Sequence, residues 1–213
     1  MKLLTALGLS GALVTSSPAG PASAEPPAEA LARRIEQRHR SLADFTARFV
    51  QSYRSGILGR EVTERGTVSV KPPGRMLWEY RDPEPKTFVS DGKSFYFYVP
   101  ADRQVVVREQ GGDRGMLSRL LSGGASLLGE FEASLETGAS GRPRLRLTPR
   151  RADPDVDRIY LEADDRDRIA SLEIVDAQGN RSRFRFEAIR ENVGLPDRLF
   201  RFSVPEGVEV VSG

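Results

Sequence analysis

The 213-residue chain contains no cysteine. That excludes a disulfide framework, a thiolate zinc site, a cysteine nucleophile and a lipid-modified N-terminal cysteine. There is one histidine, His39, so a two-histidine metal site is impossible and any histidine-based triad must use that residue. His39 sits between Arg38 and Arg40 on a helical stretch, where a solvated side chain is expected rather than a general base. Lysine is scarce as well: Lys2, Lys71, Lys86 and Lys93 are the four, and arginine carries nearly all the positive charge. Basic residues outnumber acidic ones by 32 to 30, a balance that does not describe a nucleic-acid binder. What is present is 38% hydrophobic and 29% charged residues, the composition of a globular chain long enough for one domain with a sizeable core.

The first 24 residues read as an address. Met1-Lys2 is a short positive start, Leu3 to Val14 is an apolar stretch too short to span a bilayer, and Ala22-Ser23-Ala24 is a small-residue cleavage pattern. Cleavage after Ala24 is expected, leaving residues 25–213 as a single exported domain, and a periplasm is the compartment this points to. No later stretch approaches the length of a membrane span.

Past the leader, Pro26-Pro27 opens a helix in which Leu31, Ile35 and Leu42 recur at roughly helical spacing, ending near Ser41. The period then changes to two. Phe45, Ala47, Phe49, Gln51 and Tyr53 form one face of a strand; Met76, Trp78 and Tyr80 form one face of another. Thr63 to Val70 alternates in the same way. Ser90-Asp91-Gly92-Lys93 turns the chain into the aromatic run Phe95 to Val99. Parity in that run is ambiguous; Phe95 and Phe97 are expected inward, because tyrosine hydroxyls need a polar partner. Gly111-Gly112 breaks the pattern before Met116, Leu117, Leu120 and Leu121, and Gly123-Gly124 breaks it again before Ser126-Leu127-Leu128, which reads as one or two short apolar helices flanked by glycines. Strands return over Phe131–Glu136, Arg144–Thr148, Arg158–Glu162, Ile169–Asp176, Arg181–Glu191 and Phe200–Val204. The expected fold is mainly β (α+β). About ten strands in one domain, joined by short turns, make an antiparallel meander curved into an open, incomplete barrel, with short helices covering its mouth.

Catalytic and metal-binding motifs are nearly absent. Gly92-Lys93-Ser94 resembles the end of a phosphate-binding loop, but position 87 is Thr where the motif requires Gly, so it reads as a hairpin. Asp153, Asp155 and Asp157 imitate the start of a calcium loop, but Arg158 stands where it requires Gly. No metal site and no cofactor are implied, and an enzyme would have to use carboxylates alone. The remaining signal is aromatic: the stripes Phe45/Phe49, Met76/Trp78/Tyr80 and Phe95/Phe97. Any one of them suits an ordinary core. Together, on a curved sheet under glycine-flanked Met- and Leu-bearing helices, they describe a hydrophobic container that can open.

Several stretches, in this order and spacing, resemble the periplasmic outer-membrane lipoprotein carrier family. They are Leu42 to Gln51, Gly66 to Tyr80, Val89-Ser90-Asp91-Gly92-Lys93 with its aromatic strand, Val175 to Arg181, and Phe200 to Val208. The resemblance implies an unclosed antiparallel barrel with a cavity for lipoprotein acyl chains. It implies no enzyme activity and a monomer that receives its cargo from an inner-membrane lipoprotein-releasing ABC transporter. An outer-membrane lipoprotein receptor would take the cargo on. The expected cavity lining is Phe45, Phe49, Met76, Trp78, Tyr80, Phe95 and Phe97. The expected lid is Leu31, Ile35, Leu117, Leu120, Leu121, Leu127 and Leu128. Many members carry Arg directly after the lysine corresponding to Lys71, where this chain has Pro72; Arg75 is the candidate for that latching role, and whether it substitutes is open. Two other readings stay open at this point. One is a regulatory module on the same fold that senses lipid or a membrane protein. The other is a periplasmic glycan hydrolase built on two carboxylates facing one cleft.

Overall fold

In the computed structural model, residues 27–109, 115–138, 141–153 and 155–212 are described. The expected leader, residues 1–24, lies outside them. Helix α1 (Pro27–Arg40) starts on a proline, carries Glu29 in its first turn and Arg38, His39 and Arg40 in its last, and buries Ala28, Leu31, Ala32, Ile35 and His39 along one stripe. The strands are β1 (Phe45–Arg54), β2 (Glu61–Lys71), β3 (Arg75–Asp82), β4 (Lys86–Asp91), β5 (Ser94–Val99) and β6 (Gln104–Glu109), followed by two short helices, α2 (Met116–Leu121) and α3 (Leu127–Glu130). Then come β7 (Phe131–Thr137), β8 (Pro143–Pro149), β9 (Arg158–Ala163), β10 (Ile169–Val175) and β11 (Arg181–Glu191), a 3-10 helix over Asp197–Phe200, and β12 (Glu209–Ser212).

All these strands belong to one sheet, in the order β12-β6-β5-β4-β3-β2-β1-β11-β10-β9-β8-β7. The two edge strands, β12 and β7, do not pair, so the sheet is open. It is strongly curved: Trp78 of β3 and Phe184 of β11 are separated by two strands, yet their rings lie 5.3 Å apart. Gly66 enables part of this bend. It faces Phe49 on one side and Tyr80 on the other, at a register shift between Arg65 and Gly66. A Cβ there would lie 2.0 Å from the Glu79 carbonyl oxygen and 2.9 Å from Cε1 of Phe49. Only a glycine lets the neighbouring backbone and the Phe49 ring close over that point. Helix α1 lies against β7, β8 and α3, covering the concave side at one end.

The structure corrects three expectations. Phe200–Val204 is not a strand: it begins in the 3-10 helix and continues extended but unpaired. Its alternation serves a different packing, for Phe200 is buried and Phe202 stacks on Tyr96 at 5.3 Å, strapping the outer face of β5. The C-terminal strand is β12 instead, which pairs parallel with β6, so the sheet is not antiparallel throughout. His39, expected in solvent, is 5% exposed. It falls four residues after Ile35, on the buried stripe of α1.

Candidate functional site

The concave face of β3 presents Met76, Trp78 and Tyr80, and the pleat puts them on one side because their spacing is two. Phe88 of β4 pairs with Trp78 across the ladder and with Phe97 of β5 on its other side. Between this wall and the short helix α2 lies a cavity of about 360 Å³. Beyond β3 its lining includes Phe88, Phe95, Met116, Leu117, Val156 and Ile174. The lining is overwhelmingly apolar, and Met116 and Leu117 reach it from the first turn of α2. A second hollow of about 230 Å³ adjoins it, sharing Leu117, Asp155 and Ile174 and continuing to Tyr53 and Phe184. Leu117 therefore stands as a partition between two spaces.

The polar groups on the inner face are paired off near the cavity's end. The Tyr80 hydroxyl donates to Oε1 of Gln51 at 2.6 Å, and burial next to Glu64 pushes that phenol up from its ordinary value. Lys86 pairs with Glu64 at 2.5 Å and lies 4.5 Å over the Tyr80 ring. The arrangement offers a largely oily wall, with the Lys86–Glu64 pair at its margin and Asp155 on its rim toward the second hollow.

The expected lining residues divide. Met76, Trp78, Tyr80 and Phe95 reach the cavity; Phe97 stacks on Phe88 with centroids 4.2 Å apart. Tyr96 and Tyr98 point the other way, against Phe202. Phe45 and Phe49 lie in the filled part of the interior. Phe49 is 1% exposed, edge-on to Trp78 at 4.9 Å and to Tyr80 at 4.8 Å. Among the expected lid residues, Leu117 lines the cavity. Leu31, Ile35, Leu120, Leu121 and Leu127 are buried in the core, and Leu128 is partly buried beside Arg33 and Glu36. Arg75 binds Asp197 at 2.6 Å and the Pro72 carbonyl at 3.2 Å. Lys71 joins it on Asp197 and also donates to the Leu195 carbonyl. Hydrogen bonding from Lys71 and the charge of Arg75 hold the Asp197 carboxyl below its usual range. Arg75 thus fastens the C-terminal segment to the β2–β3 turn.

Sequence reasoning missed Phe88, Met116, Val156 and Ile174 as wall residues. Phe88 was readable from its hairpin register opposite Trp78, and Ile174 from its alternation with Leu172. Val156, between two aspartates in a loop, carried no such signal. The buried carboxylates among the described residues are Asp44 and Glu173. Asp44 accepts from the backbone amides of Val193 and Leu195, and Glu173 is ringed by Arg144, Arg181 and Arg183. Neither lines the cavity, and the paired carboxylates a glycan hydrolase would need do not face it among the described residues.

Comparison with known proteins matches residues 40–203 to the family described as "Outer membrane lipoprotein carrier protein LolA". The chain belongs to the outer-membrane lipoprotein carrier family. Its relatives in that family include the outer-membrane lipoprotein carrier protein of Azotobacter vinelandii, 32% identical over 87% of this chain and 91% of that one. The carrier protein of Hahella chejuensis is 28% identical over 99% of this chain and 97% of its own length. An uncharacterised conserved protein from Thermus thermophilus shares the fold, with a TM-score of 0.55 at 15% identity, covering 88% of this chain and 100% of that one. The open β-sheet, the α2 cover and the apolar hollow are thus features of a lipoprotein-carrier-family chain.

Proposed function

We propose that this chain is a periplasmic carrier that shelters the acyl chains of lipoproteins in the cavity under α2. It would receive them from an inner-membrane lipoprotein-releasing ABC transporter and yield them to an outer-membrane lipoprotein receptor, acting as a monomer without cofactor and without chemistry of its own. The observation that carries this reading is the apolar hollow between β3–β5 and α2 in a chain of this family. Each methylene moved out of water stabilises by about 0.8 kcal/mol, so a lipoprotein's two or three acyl chains resist crossing an aqueous space by tens of kcal/mol. A soluble container removes most of that barrier.

The cavity, at about 360 Å³, lies near the lower end of the roughly 300–1,000 Å³ usual for ligand pockets. Admission of whole chains therefore requires α2 to move outward. The last turn of α2 is anchored: Leu120 and Leu121 are buried in the core, Arg119 pairs with Glu130, and the Leu121 carbonyl faces His39 Nδ1 at 3.4 Å. The outward motion is therefore assigned to its first turn, which carries Met116 and Leu117. The flexible thioethers of Met76 and Met116 let one wall fit differing chains.

The test is incubation of the purified protein, lacking residues 1–24, with lipoprotein-loaded spheroplasts. A soluble one-to-one complex is expected. Met116→Glu puts a charge on the cavity wall and should abolish release while the far-UV circular dichroism is unchanged. Release by that variant at the normal level, or no release by the normal protein, would sink the reading.

A further inference from the structure

Among the described residues, the two most exposed large apolar side chains are neighbours: Ile57 at 84% and Leu58 at 71%, at the tip of the β1–β2 hairpin. This tip is an ordered turn. The Ser55 amide donates to the Arg60 carbonyl at 3.0 Å, the Gly59 amide to the Ser55 carbonyl at 3.0 Å, and the Leu58 amide to Ser55 Oγ at 3.2 Å. Gly56 seats the turn on the β10–β11 connection. Its amide donates to Oδ1 of Asn180, and a Cβ there would lie 2.4 Å from the Gln178 carbonyl oxygen. Two aliphatic side chains are therefore held out in water by a built scaffold.

Their surroundings are basic. Arg54 and Arg60 flank the turn, and neither side chain makes an ion pair among the described residues. Arg54 also lines a polar hollow of about 380 Å³ on the outer face, with Ser52, Glu61, Glu173, Arg181 and Arg183. The carboxylates nearby are engaged: Glu173 under three arginines, Glu61 by the Ser52 hydroxyl, and Asp176 by the amides of Gln178 and Asn180. Arg181 and Arg183 keep about half of their side-chain surface exposed. The same end of the molecule holds the second hollow of the acyl cavity, for Asn180 binds Gly56 and also lines that hollow together with Tyr53.

We infer that the β1–β2 hairpin tip is a membrane contact. Ile57 and Leu58 enter the acyl region of an anionic phospholipid bilayer, and Arg54, Arg60, Arg181 and Arg183 meet the lipid phosphates. An apolar wedge with a basic collar is what such a surface recognises. The inference rests on the carrier reading, because its consequence is to bring the end of the acyl cavity against a membrane.

The test is flotation of the protein with protein-free phosphatidylcholine vesicles, with and without phosphatidylglycerol. The normal protein is expected to float with the anionic vesicles, less so at high salt. The double variant I57E/L58E should lose about tenfold or more in partitioning. Its circular dichroism and its binding of a fluorescent fatty acid should stay unchanged, since neither residue packs in the core or lines the cavity. Equal flotation of variant and normal protein would overturn the inference, as would flotation only when a membrane protein is present. Equal flotation with neutral vesicles would overturn the part assigned to the arginine collar. Failure of the fatty acid to bind the normal protein would count against the carrier reading instead, whatever the vesicles show.

Discussion

His39 shows how much a single side chain can tie together. Its Nε2 accepts the Ile169 amide at 3.3 Å, and its Nδ1 faces the Leu121 carbonyl at 3.4 Å, so these partners assign a neutral ring with the proton on Nδ1. Burial, only partly offset by the Leu121 carbonyl and Glu191, lowers its pKa from the ordinary 6.5. The unfolded chain therefore takes up the proton first as pH falls. Stability should drop progressively below about pH 6.5, because the unfolded state binds more protons there. Urea denaturation at about pH 7.5 and about pH 5.5 checks this, and His39→Gln should flatten the difference. Glu173 acts in the same sense at lower pH. Burial raises its pKa, but the arginines, led by Arg183, outweigh that and leave it below 4.5. Its contribution is fully present above the ordinary carboxylate range and is lost as pH falls through the lowered value.

At the scale of elements, the pairing of β2 with its neighbours depends on an absent side chain. Gly66→Ala would drive a methyl into the Glu79 carbonyl and the edge of Phe49. Backbone cannot swing away as a side-chain tip can, so the β2–β3 register shift and the Phe49–Tyr80 contact both suffer. A loss of about 2–4 kcal/mol is expected from overpacking of this kind, read as a lower chemical denaturation midpoint with an unchanged slope. Element periodicity was largely readable beforehand. The alternation in β1 and β3 named the inward faces, and the 3.6-residue spacing found α1. The failures came where a periodic segment had no partner strand. Phe200 and Phe202 alternate like a strand, yet pack as a strap across the outer face. β12 is short and carries Glu209, so it offered little pattern.

At the scale of the molecule, the open sheet has two edges to protect. β12 covers β6 in parallel, with Val210 beside Val105 and Val211 beside Val106. Deleting residues 209–213 should expose β6 and lower the thermal midpoint by about 2–6 °C, with fatty-acid binding retained because β12 lies away from the cavity wall. A cooperative melt at the original temperature would show that the edge strand carries no stability.

Local pattern in the sequence determined which residues of β1 and β3 would turn inward and where the helices would fall. The absence of cysteine and the single histidine had already narrowed the chemistry. Tertiary structure alone decided which inward residues fill space and which leave it. Phe49 and Trp78 alternate in the same way along their strands, but curvature closes Tyr80 and Phe184 over Phe49, while Trp78 also borders the hollow under α2. Pattern along a strand fixes the side from which a residue looks out. The bend of the sheet, set by contacts between residues far apart in the chain, fixes what it sees.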